Sequence, residues 1–163
     1  MSLVIRPARP EDEALIFAFI RELADYERMA AEVSATQQDI AAALFAPAPR
    51  VFCALAQWQG EAAGFALWFY SFSTFRGRHG LYLEDLFVRP HLRGRGIGKA
   101  LLAELARRAV REDCARLEWS VLAWNSPSIG FYESLGARRQ KGWQGYRLSD
   151  AALLRLAGSG AQP

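Results

Sequence analysis

Arg93-Gly94-Arg95-Gly96-Ile97-Gly98-Lys99 lies between a strand-like run and an amphipathic helix, and its spacing decides how the rest of the chain is read. Upstream, Tyr82-Leu83-Glu84-Asp85-Leu86-Phe87-Val88 reads as a strand, closed by Arg89-Pro90. Downstream, Ile97, Leu101, Leu102, Leu105 and Ala109 recur at helical spacing. Glycines leave the loop's backbone N–H groups uncovered, and a helix start adds unpaired donors and the positive end of its dipole. The combination is an anion cradle, and Arg93, Arg95 and Lys99 add formal charge around it.

Two phosphate-loop patterns fail on spacing. A Walker A loop ending at Gly98-Lys99 needs its first glycine where Arg93 stands, and a magnesium-holding hydroxyl where Ala100 stands. A dinucleotide fingerprint begun at Gly94 and Gly96 needs a third glycine at Lys99; begun at Gly96 and Gly98, it needs one at Leu101. What remains is R-x-x-G-x-G, Arg93 to Gly98, between a strand and a helix.

Outward from the loop, further blocks follow in order. They are Glu22-Leu23-Ala24-Asp25-Tyr26-Glu27, Tyr82-Leu83-Glu84-Asp85, Trp124-Asn125-Ser126-Pro127-Ser128-Ile129-Gly130-Phe131-Tyr132, and Gly136-Ala137 with Gly142-Trp143. With the R-x-x-G-x-G loop, these blocks resemble the GNAT acetyltransferases, and within them the spermidine/spermine and thialysine acetyltransferase branch. The resemblance covers most of residues 3–157, taken as one domain with a short tail at 158–163. It implies a mixed α/β fold: a twisted, mostly antiparallel sheet, flanked by helices, whose two central strands splay apart to admit acetyl-CoA.

Composition sets the bounds. At 163 residues the chain is long enough for one domain that buries about two-thirds of its unfolded surface. With 52% hydrophobic and 23% charged residues it reads as globular rather than disordered. The net charge of +3 and pI near 9.1 suit an anionic cofactor. Nucleic acid is not expected as a partner, because no long Lys/Arg run or aromatic-basic ladder appears. Cys53 and Cys114 lack metal-ligand spacing, so neither a metal site nor a disulfide framework is expected. Cys53, in Val51-Phe52-Cys53-Ala54-Leu55, reads as a small core residue. With no signal-peptide core near Met1 and no bilayer-spanning run, a cytoplasmic enzyme without membrane association is expected.

Elements follow from periodicity. Leu3–Arg6 reads as a strand and Pro10-Glu11-Asp12-Glu13 as an acidic helix start, after which Leu15, Ile16, Phe19, Ile20, Leu23 and Tyr26 trace one helical face. Thr36–Leu44 reads as a short helix ended by Pro47-Ala48-Pro49. Val51–Trp58 and Ala62–Phe72 flank Gln59-Gly60-Glu61 as a hairpin, and Ser71–Gly80 reads as a polar loop. A strand at Leu117–Ala123, a helix at Ser126–Leu135 and strands near Ala137 and at Trp143–Leu148 complete the pattern.

Acetyl transfer to an amine needs an anchored cofactor, a neutral amine, a stabilised oxyanion and a protonated thiolate. The resemblance assigns cofactor binding to Leu86, Phe87 and Val88, to Arg93, Gly94, Arg95, Gly96, Ile97, Gly98 and Lys99, and to Asn125, Ser128 and Tyr132. On residues alone, Glu84 and Asp85 fall on opposite strand faces and one of them points to solvent. With the resemblance, Glu84 becomes the general base, its pKa raised by partial burial. Tyr132 becomes the proton donor to the thiolate; by itself it reads equally as an aromatic anchor beside Phe131. Asn125 suits a pantetheine amide and a helix cap alike. Asp85 shapes the amine pocket or belongs to a hydrogen-bond network.

The resemblance further implies a homodimer and an amine site including Tyr26, Glu27, Glu84, Asp85, Glu118, Trp119 and Ser120. Arg76, Arg78 and Lys141 stand where a long polycation would be repelled, and Ser73-Thr74-Phe75-Arg76-Gly77-Arg78 is more similar to the thialysine members. A small lysine-like or other primary amine is therefore the expected acceptor, attacked directly in a ternary complex. Two alternatives stay open from sequence: a peptide or protein N-acetyltransferase on the same scaffold, and a non-catalytic CoA-binding or nucleic-acid-binding module. His79 and His91 have no partner at triad or metal spacing and read as surface residues.

Overall fold

A computed structural model describes residues 2–159. Its contacts divide the chain into two compact units, 1–122 and 123–163, a boundary inside the expected 3–157 domain. The first contains β1 (Leu3–Pro7), α1 (Glu13–Tyr26), α2 (Gln37–Leu44), β2 (Phe52–Trp58), β3 (Glu61–Ser73), β4 (Arg78–Val88), α3 (Ile97–Arg111) and β5 (Leu117–Trp119). The second contains α4 (Ser126–Ser134) and α5 (Asp150–Gly158). Among the described residues, no helix is long and apolar enough to cross a membrane.

The sheet runs β1-β2-β3-β4-β5. Its first three joints are antiparallel and β4–β5 is parallel, so the sheet is mixed and mostly antiparallel as the sequence predicts. A parallel pair needs a long crossover, and α3 supplies it. Phe65 and Trp68, three apart on β3, point to opposite faces. Phe19 of α1 stacks on Phe65 with centroids 5.5 Å apart, while Arg108 of α3 lies 5.2 Å over the Trp68 ring. Thus α1 covers one face and α3 the other.

The periodic residues of α1 do what their spacing predicts. Ile16, Phe19 and Leu23 join Leu44, Cys53, Leu55, Phe65, Leu67 and Phe87 in one core, which also bears out the reading of Cys53. On α3, Ile97, Leu101, Leu102, Leu105 and Ala109 are all buried. Thr36 caps α2 reciprocally: its hydroxyl accepts from the Asp39 N–H at 3.2 Å, and its own N–H donates to Asp39 Oδ2 at 2.8 Å.

Three expectations need correction. The polar loop at Ser71–Gly80 shrinks to a short turn, since β3 runs through Ser73 and β4 begins at Arg78. Cross-strand ring pairs carry the hairpin outward, with Phe69 5.0 Å from Tyr82 and Phe72 edge-on to His79 at 5.2 Å. The strand begun at Leu117 ends at Trp119 rather than Ala123. Around Ala137 and over Trp143–Leu148 there is no strand, because no described strand pairs with those residues; Trp143 and Tyr146 are 80% and 93% exposed. All of α5 but its last residue, Gly158, lies inside the expected 3–157 domain, and residues 160–163 of the expected tail lie outside the described residues.

Arg6 ties β1 to the entry of α1 through a bidentate pair with Asp12, at 2.7 and 2.8 Å, and the Arg9 N–H adds a third bond to Asp12 at 2.7 Å. The Arg6 bonds hold the buried Asp12 carboxyl below its usual pKa, against the opposing effect of burial. A depressed carboxyl contributes stability above its unfolded pKa and loses it as pH falls through the folded value. Asp12→Asn is therefore expected to lower stability by roughly 2 kcal/mol at pH 7. The gap to wild type should close well below about pH 4. Urea midpoints at neutral and acid pH check both.

Candidate active site

The site is built on β4, whose pairing is irregular in two places. On one side, the ladder to β3 is continuous except that Leu67 pairs with Asp85 while Trp68 pairs with Leu83. Glu84 is therefore an extra residue, a β-bulge. On the other side, the ladder to β5 covers only Leu81, Tyr82 and Leu83. From Glu84 to Val88 the strand keeps β3 and has no ladder to β5, which is the splay the resemblance implies.

The bulge alters which side chains face which helix. Strict alternation from Tyr82 would place Glu84 on the α1 face and Asp85 on the α3 face. Instead Asp85 sits opposite Leu67, on the α1 face with Phe87, and Glu84 is exposed at the kink. The expected partial burial thus falls on Asp85, not Glu84. The signal available in sequence was the adjacent acid pair itself: in an apolar strand, unbroken alternation would commit one carboxylate to each face.

Three carboxylates interact here. Burial first, then Glu84 and Glu27, push the Asp85 carboxyl up to about 7. Burial and the Glu84 charge also raise Glu27, just beyond the end of α1. Burial, Asp12 and Asp85 push the Cys53 thiol up to about 12, so it stays protonated and unreactive. Of the other expected amine-site residues, Glu118 and Ser120 share the Tyr82 face through the β4–β5 register. Glu118 pairs with Arg116 at 3.1 Å, and Ser120 Oγ lies 2.8 Å from the Tyr82 hydroxyl. Trp119 is half-buried on the other face. Among the described residues, no group of three or more His, Cys, Asp or Glu is placed to hold a metal ion.

Beyond Val88 the chain makes a short 3₁₀ turn at Pro90–Leu92 and enters the glycine loop. Gly94 and Gly96 have φ of 76° and 78°, the left-handed region that other residues enter at a cost. Gly96 opens α3: its carbonyl accepts the first helical bond, from the Ala100 N–H at 2.9 Å. The N–H groups of Ile97, Gly98 and Lys99 therefore have no partner within the helix, which is the condition an anion cradle requires.

Arg93 carries its charge at a position fixed by its neighbours. Its guanidinium stacks 4.7 Å over the Tyr26 ring and 5.6 Å from Phe87, and its Nε donates to the Val88 carbonyl at 2.8 Å. It joins the cradle to the end of α1, beside Glu27. Arg95 lies 5.7 Å over Trp58, and Lys99 is exposed. Arg89 fixes the base of the loop, clasping Glu22 at 2.9 and 3.1 Å and the Ala62 carbonyl at 3.0 Å. His79 and His91 are exposed, and His91 is bonded to Glu61 at 2.6 Å.

In the second unit, Asn125 is buried and caps α4, its side chain accepting from the Ser128 N–H at 3.4 Å. Tyr132 is half-buried, its ring 5.5 Å from Phe131. The cap is thus realised.

A mixed sheet with an interrupted central ladder and a glycine loop at the next helix start is the arrangement the sequence resemblance implies. Residues 16–137 match the acetyltransferase (GNAT) family, and the chain belongs to that family of N-acetyltransferases. It is 34% identical to the thialysine N-ε-acetyltransferase of Bos taurus, over 96% of this chain and 98% of that protein. It is 43% identical to an L-ornithine N5-acetyltransferase of Arabidopsis thaliana, over 56% of this chain and 40% of that one. Among solved structures, an integron cassette protein of V. cholerae superposes with a TM-score of 0.80 at 31% identity, over 98% of this chain and 99% of that chain.

An added Cβ at Gly96 meets nothing within 4 Å, so substitution there is limited by backbone conformation alone. Gly96→Ala should cost about 1–2 kcal/mol, and Gly96→Asn, which tolerates the left-handed region better, should cost less. Thermal unfolding is the measurement; each kcal/mol corresponds to about 2–4 °C for a chain of this size.

Proposed function

We propose that the protein transfers the acetyl group of acetyl-CoA to the primary amine of a small molecule, a thialysine- or lysine-like amine or a polyamine, by direct attack in a ternary complex. The observation that carries this proposal is the pairing of opposite electrostatic ends within one unit. The anion cradle at 93–99 and the carboxylates Glu27, Glu84 and Asp85 are tied together by Arg93 on Tyr26. The named activities of the thialysine and ornithine relatives, both on small amines, support the same reading. Arg78 is paired with Asp113 at 2.9 Å, which offsets one of the cations expected to repel a polyamine; Arg76 remains exposed, and the lysine-like acceptor stays in front.

Acetyl-CoA supplies the activated acetyl group as a thioester. The fit of this chain to it rests on the left-handed glycines, which expose loop amides to a pyrophosphate, and on the Glu84–Val88 edge. There the backbone groups along Leu86–Val88 that point away from β3 can meet an extended amide chain, with an N–H directed at the thioester oxygen, while the Val88 carbonyl is held by Arg93. By family resemblance, Asn125 and Ser128 hold the pantetheine arm and the Tyr132 hydroxyl serves the sulfur. An alkylammonium near its ordinary pKa must lose a proton before it attacks. Glu84, exposed on the bulge and next to the free edge, takes that proton directly or through water. The neutral amine then attacks the acetyl carbon, and Tyr132 returns a proton to the departing thiolate.

A homodimer belongs to the same proposal. It rests on the family resemblance and is supported by the exposed Trp143, Tyr146 and Leu154 of the second unit. Cys53 and Cys114 are unpaired, which fits a reducing, cytoplasmic setting. Light scattering should give twice the 18.2 kDa chain mass; the single-chain mass at working concentration removes the dimer.

The catalytic roles separate by variant. Calorimetry should detect CoA binding to wild type and to Glu84→Gln alike. Turnover should fall by about 10²–10⁴-fold in Glu84→Gln and in Tyr132→Phe where the proton transfer limits the rate. Raising the pH supplies free amine and should partly restore Glu84→Gln, but not Tyr132→Phe. Wild-type turnover and pH dependence in both variants would remove these assignments.

A further inference from the structure

The α1-face core reaches along β3 as far as Leu67. Past it, the same face of the sheet carries a row of side chains that the chemistry above does not use. Phe69 of β3 and Tyr82 of β4 pair across the strands with ring centroids 5.0 Å apart, both half-buried. Glu118 stands opposite Tyr82 on β5, and Arg116, two residues earlier, falls on the same face. Arg116 Nε meets Glu118 Oε1 at 3.1 Å, with 49% and 36% of the two side chains exposed. A pair so open to water is weak and yields readily to competing charges. Gly80 makes room for the arginine: a Cβ there would lie 2.6 Å from Ser71 Oγ and 3.5 Å from Arg116 Cγ. Along β4 the row therefore runs from Glu84, exposed on the bulge, to Tyr82 with Glu118, to Gly80 with Arg116, and to Arg78 at the strand's start. Its charge changes from negative at the bulge to positive toward the hairpin.

We propose that this row is an amino-acid subsite: Arg116 takes the α-carboxylate and Glu118 the α-ammonium of an acceptor whose side-chain amine reaches Glu84. The acceptor class is then a diamino acid, selected over a diamine by its carboxylate. This rests on the acetyl transfer proposed above and deepens it. An extended lysine-like side chain spans roughly 6 Å from its α-carbon to its terminal nitrogen. Two residues of strand advance about 6–7 Å, the step from Tyr82 and Glu118 to Glu84. With the amine at Glu84, the α-carbon lies level with Tyr82, the methylenes run along the Phe69 and Tyr82 rings, and the α-carboxylate points toward Arg116. Binding is an exchange: the Arg116–Glu118 pair opens, and each charge takes its opposite on the zwitterion, so neither is left unpaired. A diamine of the same length fills Glu118 but strands Arg116 and sets a second cation beside it, which costs affinity. An acceptor without the α-amine strands Glu118 in the same way.

The test is acetyl-CoA turnover by the full chain, followed by thiol release, on three acceptors. They are L-lysine, 1,5-diaminopentane, which lacks the carboxylate, and 6-aminohexanoate, which lacks the α-amine. In the wild type, kcat/KM for lysine should exceed each of the others by about tenfold or more, chiefly through KM. Arg116→Gln should bring lysine and the diamine together by raising KM for lysine. Arg116→Glu should reverse the order in favour of the diamine, a gain that a folding defect does not produce. Glu118→Gln should close the gap between lysine and 6-aminohexanoate. Any of three results overturns the inference: a wild type that uses the diamine as well as lysine, an Arg116→Gln variant of wild-type Tm that keeps the full lysine preference, or an Arg116→Glu variant that still prefers lysine. Turnover without the lysine preference removes this inference alone. No turnover on any of the three removes it as well, and only silence on a wider amine panel removes the function proposed above.

Discussion

The ladder between β4 and β5 stops at Leu83, and most of what the first unit can do follows from that interruption. Backbone N–H and C=O groups need partners, and an interior strand normally finds them on both sides. From Glu84 to Val88, β4 has β3 on one side only. The remaining edge is a row of donors and acceptors beside a helix start, suited to an extended ligand that carries amides and ends in phosphates. The bulge at Glu84 lies at the point where the ladder ends. It adds local twist and sets a carboxylate at the mouth of the opening.

Electrostatics divide the same small region into two ends. Orphan amides of α3 with left-handed Gly94 and Gly96 favour an anion, while Glu27, Glu84 and Asp85 favour a cation. Arg93 connects them without being given over to either, because its guanidinium is stacked on Tyr26 and bonded to the Val88 carbonyl. An arginine used this way sets the position of the loop rather than adding a mobile charge. Arg89, clasping Glu22 and stacked 4.8 Å over Phe19, does the same one step earlier in the chain. Both cations join the end of β4 to α1, so the helix that closes one face of the core also positions the site.

Much of this is legible in the residues. The α1 and α3 faces follow from apolar spacing, the α2 cap from Thr36 and Asp39, and the cradle from R-x-x-G-x-G between a strand and a helix. Each is a local property, governed by residues within a turn or two of one another. The run at Trp143–Leu148 shows the limit: its strand-like composition is not expressed as a strand, because a strand exists only where another strand pairs with it, and composition does not state the partner. The hairpin beyond Ser71 fails in the opposite sense, as polar residues are carried into strands by the ring pairs at Phe69 and Phe72.

The sequence by itself determined helices α1 to α4, the glycine loop at the start of α3 and the family, since each depends on spacing along the chain. Only the tertiary structure decided which carboxylate is buried. Period-2 alternation gives Glu84 and Asp85 one face each, but the register against β3 inserts Glu84 as an extra residue and turns Asp85 toward the core. It likewise decided that Arg93 braces the loop, because Tyr26, 67 positions away in the chain, lies beneath it. Register and stacking are relations between distant segments, settled by which backbone groups find partners and which rings meet, and a one-dimensional pattern does not contain them.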